Sequence, residues 1–149
     1  VIRLEYQDLV RDLTIEYARK VIGNEVETLE IQFSKLLKYP NAKCFPFRRL
    51  IVYNDNYIQL NKSNIDALKY TVIEECAHLR YIEHNQEFYD LCIELGYDVR
   101  TPPQGICYYW KYHKICSNCG DTRFYYHKPR KVVCQKCGSD SVHMTESGL

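Results

Sequence analysis

No run of apolar residues in this chain approaches the roughly 18 that a membrane-crossing helix needs. Nor does it open on the charged-then-apolar leader of a secreted precursor, so no membrane partner and a reducing, intracellular setting (cytoplasmic, or with the nucleoid or nucleus) are expected. No segment repeats with a period of roughly 20 to 50 residues, which argues against a solenoid or propeller, and no low-complexity tract interrupts the chain. Charge of neither sign dominates: 20 basic and 19 acidic residues leave a formal net charge of +1.

What is present is unevenly placed. At 149 residues the chain suits one compact domain with a small appendage. Residues 1–104 carry 13 basic and 16 acidic side chains, whereas residues 105–138 carry Lys111, Lys114, Arg123, Lys128, Arg130, Lys131 and Lys136 against Asp121 alone. The appendage is the basic part, which points to a polyanion partner. Of 8 cysteines, Cys116, Cys119, Cys134 and Cys137 fall as C-x2-C, 14 residues, C-x2-C, the spacing of a structural zinc site. Cys44, Cys76, Cys92 and Cys107 are scattered and read as small core hydrophobes.

Along the chain, residues 5–21 carry Leu9, Leu13, Tyr17 and Val21 at helical spacing and end at Gly23-Asn24. Residues 28–33 alternate, with Leu29, Ile31 and Phe33 on one side, as a half-buried strand does. Residues 50–53 and 57–60 are β-prone around Asn54-Asp55-Asn56, which reads as a hairpin turn. Ser63 and Asp66 suggest a capping box for a central helix. Residues 87–95 form a further helix closed by Gly96, and Thr101-Pro102-Pro103-Gln104-Gly105 reads as a linker. Residues 139–149 lack a pattern and are expected to fray. The domain reading is thus a core at 1–104, a zinc ribbon at 105–138 and a tail at 139–149.

Residues 70–88 carry the chemistry-bearing side chains. On a helix, Glu74 and His78 lie one turn apart on one face with Glu75 beside them. Ile65, Leu68, Val72, Cys76 and Leu79 recur at core-facing spacing on the other side. His84 falls just past the helix end, where it could fold back as a third ligand. The stretch E-E-C-A-H parallels the zinc-protease motif H-E-x-x-H with a glutamate at the first ligand position. Zinc accepts carboxylate oxygen at nearly the bond length of imidazole nitrogen. The added negative charge weakens the pull on bound water, so reduced or absent activity is expected.

The central segment, the linker and the cysteine ribbon together resemble the SprT-like family, which includes the Spartan DNA-protein crosslink proteases. The family's third histidine lies in an H-G-P-E-F-like segment, and His84-Asn85-Gln86-Glu87-Phe88 matches it at histidine, glutamate and phenylalanine. Trp110-Lys111-Tyr112, the two cysteine knuckles and the basic stretch between them look like the family's C-terminal ribbon. The resemblance spans roughly residues 28–138, with Glu74 and Asn85-Gln86 as departures. It implies an α+β, zincin-like core in which a central metal-site helix, flanking helices and a small sheet are followed by a β zinc ribbon. It further implies a metallopeptidase whose zinc is held by His78 and His84 with Glu74 as substitute ligand, and whose general base is Glu75. The substrate would be a protein attached to DNA, single-stranded DNA included, with Lys111, Lys114, Arg123, Lys128, Arg130 and Lys131 contacting phosphates. The alternative is a catalytically inactive member that works as a nucleic-acid- or protein-binding module.

Overall fold

The computed structural model describes residues 4–37, 39, 41–107, 112–125 and 133–146. The architecture is α+β and divides into two units, residues 1–108 and residues 109–149.

In the first unit, α1 (Glu5–Ile22) buries Val10, Leu13, Thr14, Tyr17, Ala18 and Val21, the i, i+3, i+4 stripe of an amphipathic helix. Glu5 and Asp8 in its first turn and Arg19 and Lys20 in its last complement the helix dipole. Gly23, at φ 61°, closes it. A 3-10 segment at Gly23–Thr28 leads into β1 (Glu30–Ser34), whose half-buried Ile31 and Phe33 alternate with exposed Glu30 and Gln32.

β2 (Ala42–Phe45) and β3 (Leu50–Asn54) complete a sheet of order β1-β3-β2, parallel between β1 and β3 and antiparallel between β3 and β2. The middle strand is buried throughout, as its unbroken Leu-Ile-Val-Tyr run requires. β2 lies at the sheet edge.

The hairpin expected around residues 54–56 does not form. Asn54 instead accepts from the backbone N–H groups of Asn56 and Tyr57 and caps α2 (Asp55–Leu60), turning the β-prone run 57–60 into a helix. Tyr57 and Ile58, adjacent in sequence, are both fully buried, which a half-exposed strand could not achieve.

The central helix α3 (Ile65–Ala77) is capped by Asn64, whose side chain accepts from Ala67 N–H, and not by Ser63. Its burial exceeds a single stripe: Leu68, Val72, Ile73, Cys76 and Ala77 are all inside, while Ile65, expected in the core, is 42% exposed. α1 packs along it, and its polar core groups are paired. Thr14 and Tyr53 hydroxyls meet at 2.7 Å, Tyr57 and Thr71 hydroxyls at 2.6 Å, and the Cys76 thiol donates to Thr14 O. α4 (Gln86–Leu95) starts at Asn85, which accepts from Phe88 N–H, and ends at Gly96. The linker is tied to this unit: Asn61 donates to Cys107 O at 2.7 Å and accepts from Cys107 N–H at 2.9 Å. Cys44, Cys76 and Cys92 are buried, but Cys107 is exposed, because it lies beyond the last packed helix.

The second unit is a three-stranded antiparallel sheet, β4 (Tyr112–Cys116), β5 (Thr122–Tyr125) and β6 (Val142–Glu146), in the order β5-β4-β6. Residues 142–146, placed in a frayed tail by their lack of pattern, pair with the whole of β4 from Tyr112↔Glu146 to Cys116↔Val142. The pairing strand, not local periodicity, orders them.

Candidate metal centre and cleft

α3 ends at Ala77, so Glu74 and Glu75 occupy its last turn and His78 is its C-cap residue. The chain then loops through residues 79–85 and re-enters helix at Gln86. That return carries His84 back over the end of α3. Its Nε2 stands 2.9 Å from His78 Nε2 and 3.7 Å from Glu74 Oε1, and one donor atom from each of the three residues lies within 4.8 Å of the others. Donors on a tetrahedral ion with bonds of about 2.0–2.1 Å stand roughly 3.3 Å apart, so these separations bracket the spacing such an ion sets.

Two features orient the imidazoles. His78 Nδ1 lies 2.9 Å from Tyr81 O, and with the proton donated there its Nε2 lone pair faces the shared point. Phe88, wholly buried, stacks on His84 at 4.6 Å and 10° and touches His78 at 4.6 Å and 31°. Burial, followed by the neighbouring His84 and Lys43, holds His78 below the usual histidine range against the opposing Tyr81 bond, which favours the neutral, ligand-competent ring.

Burial also pushes the Glu74 carboxyl up to about 7. For Glu75, only 5% exposed, burial and then the neighbouring Glu74 push it up to about 8, opposed by Lys43 and by a hydrogen bond from the Cys44 backbone N–H. Glu75 therefore stands against the edge of β2. Asn54 N–H donates to Asn41 O at 2.8 Å, which makes Lys43 and Phe45 the β2 residues bonded to β3. Ala42 and Cys44 consequently turn their backbone groups outward. The Ala42 N–H is taken by the Asn41 side chain at 2.7 Å and the Cys44 N–H by Glu75, so their carbonyls remain along the outer edge.

Between β2 and the end of α3 opens a cleft of about 470 Å³, lined by Lys43, Cys44, Phe45, Phe47 and Arg48 on one side and Glu74, Glu75, His78 and Ile82 on the other. The sequence reading missed this wall. Residues 42–45 are too short to register as a strand by periodicity, although Pro40 and Pro46 on either side mark a bounded segment.

In the second unit the two knuckles repeat one backbone design. Gly120 and Gly138, both at φ 77°, donate to Cys116 O and Cys134 O at 2.8 Å, while Cys116 N–H and Cys134 N–H donate to Asp121 O and Ser139 O. A side chain at either glycine would strain that left-handed turn. Sulfur atoms stand 3.6 Å apart in the Cys116–Cys137 and Cys119–Cys134 pairs, near the roughly 3.8 Å of thiolates on a tetrahedral zinc with bonds of about 2.3 Å. The four cysteines form one group that could bind a metal such as zinc. Asn118 donates to Cys137 Sγ and pulls that thiol down to about 6, favouring the thiolate.

The basic residues fare differently. Lys114 is only 4% exposed: its ammonium donates to Val133 O at 3.1 Å and lies over the Tyr125 ring at 5.2 Å, inside the ribbon. The expectation of a Lys114 phosphate contact does not fit this placement, which follows from the inward-facing register of β4. Arg123 is exposed and bonded to Asp121 at 3.0 Å. Lys111, Lys128, Arg130 and Lys131 lie outside the described residues.

Comparison with protein-family models gives no match, and comparison with curated proteins gives none. Among the described residues no helix is long and apolar enough to cross a membrane.

Proposed function

We propose that the first unit is a SprT-like, metal-dependent peptidase of reduced activity that acts on proteins bound to DNA, with a zinc-bound ribbon as its second unit. The observation that carries this reading is the convergence of Glu74, His78 and His84 within 4.8 Å, with Glu74 and His78 lining a cleft that Glu75 also lines. Those three residues would hold a zinc ion, whose chemistry is to polarise a peptide carbonyl and to acidify water. Glu75 takes the proton as the water oxygen bonds to the carbonyl carbon, holds it on its carboxylate, and delivers it to the amine nitrogen as the C–N bond breaks. In the metal-free chain burial and Glu74 push this carboxyl up to about 8, so it holds a proton at neutral pH; a cation beside it favours the ionised form, which is the one that accepts the proton from water. The outward carbonyls of Ala42 and Cys44 would accept from an extended substrate backbone running along β2.

The DNA-directed part of the reading is supported by the resemblance and by the basic bias of residues 105–138. The proposed phosphate contacts are Lys111, Arg123, Lys128, Arg130 and Lys131; Lys114 is occupied within the ribbon. One observation favours the rival, a catalytically inactive binding module: Glu74 brings a negative charge where a neutral ligand would leave the ion more electrophilic. Hydrolysis of a denatured protein substrate separates the two. The peptidase reading expects slow, chelator-sensitive cleavage by the full chain and a loss of at least about a hundredfold in Glu75→Gln. Equal cleavage by the variant, or none by the parent, supports the binding module.

A further inference from the structure

The cleft carries two cations that are neither ligand nor proton carrier in the chemistry above, where Lys43 acts only through its charge on Glu75 and His78. Among the described residues, the acids that line it are Glu74 and Glu75 alone, and the proposed reaction assigns them to the metal and to the proton. Lys43 and Arg48 stand on the opposite wall. Each lies over an aromatic ring, Lys43 over Tyr39 at 5.1 Å and Arg48 over Phe45 at 5.4 Å, and neither forms an ion pair with a carboxylate among the described residues. Neighbouring cations differ. Arg49 is paired with Glu25 at 2.6 Å, and Arg80 donates to Val21 O at 2.5 Å, so both serve the fold. Beside Lys43 and Arg48, Phe47 and Ile82 are 91% and 59% exposed at the rim. A positive wall with an apolar rim beside an outward strand edge matches an extended peptide carrying acidic and apolar side chains in alternation.

We propose that Lys43 and Arg48 select acidic segments: the occupant of the cleft is an extended peptide whose carboxylate side chains pair with these two residues while its apolar side chains meet Phe47 and Ile82. This inference rests on the peptidase reading for its reaction but not for its recognition. Neither residue is a ligand or a proton carrier, so binding and hydrolysis can fail separately.

The experiment uses the full zinc-loaded chain and two fluorescent, end-blocked heptapeptides, Ser-Val-Glu-Val-Glu-Val-Ser and its counterpart with glutamine at both glutamate positions. Fluorescence anisotropy should show the acidic peptide binding about tenfold more tightly at low salt, two charge pairs each contributing a few-fold. Lys43→Gln with Arg48→Gln should remove that preference while circular dichroism stays native, and Lys43→Arg with Arg48→Lys should restore most of it. If the glutamine variant does not fold, the charge-preserving variant and the salt dependence of the parent decide: a preference that fades between 0.05 and 0.3 M salt on the order of the Debye screening supports the inference. Equal affinity for the two peptides, a preference that survives the glutamine variant, or displacement of the acidic peptide by oligothymidylate at lower concentration than by the peptide itself overturns it. Hydrolysis without charge preference overturns this inference and leaves the peptidase standing. Charge preference without hydrolysis supports the inference and removes the peptidase.

Discussion

Glu74 is the side chain on which the proposed chemistry turns. Its carboxyl is half-buried and raised to about 7, in a position where its oxygen faces two imidazole nitrogens. Replacing it by a neutral donor should strengthen the site, so Glu74→His is expected to raise zinc affinity by about tenfold or more and to raise the hydrolysis rate with it. Isothermal titration alongside a peptidase assay checks both. Glu74 and Glu75 also make stability depend on pH in a definite direction. An acid whose pKa folding raises holds its proton more tightly in the folded chain, so the folded state binds more protons than the unfolded one between about 4.5 and the folded values of about 7 and 8. The stability these two carboxyls contribute to the metal-free protein is therefore full below that window and is lost as pH rises through it, while His78, held low by burial, contributes in the opposite sense. Melting followed at a helix-sensitive wavelength should give a lower midpoint at pH 8 than at pH 5, and Glu75→Gln should flatten the slope.

Among the elements, α4 contributes more to the site than its distance from the carboxylates suggests, because Phe88 supports both imidazoles. Phe88→Ala is expected to destabilise the first unit by about 3–5 kcal/mol, measured by urea unfolding. Phe88→Leu should retain the fold yet weaken metal binding, since it fills the volume without a stacking face. Elements defined by long periodic patterns were legible in the sequence: α1 and α4 fall where the apolar spacing and Gly23 and Gly96 put them, and α3 was placed by its spacing although Asn64, not Ser63, caps it. So was the cysteine group, since paired knuckles declare themselves by spacing alone. The short elements were not. β2, α2 and β6 run 4 to 6 residues, and what decides them is remote or capping structure: β3 for β2, the Asn54 side chain for α2, and β4 for β6. The candidate metal ligands were readable because helical spacing fixes Glu74 against His78. The opposite wall of Lys43 and Arg48 was not, because its place depends on a strand that only the sheet creates.

For the molecule as a whole, two units imply two separable losses. Lys114 is bound within the ribbon, so Lys114→Met should lower ribbon stability and leave the salt dependence of DNA binding unchanged. Substitution of Lys128, Arg130 and Lys131 by alanine should instead flatten the plot of log affinity against log salt, by about 0.7 to 0.9 for each phosphate no longer neutralised. An unchanged slope in that triple variant would mean that these three side chains do not touch the phosphates. If α3 and the loop before α4 grip an ion independently of the cysteines, native mass spectrometry of the intact chain reads it directly as zinc content. Two ions per chain, falling to one in His78→Ala with His84→Ala while the ribbon ion persists, is the predicted result. One ion per chain, unchanged by that double substitution, would contradict it.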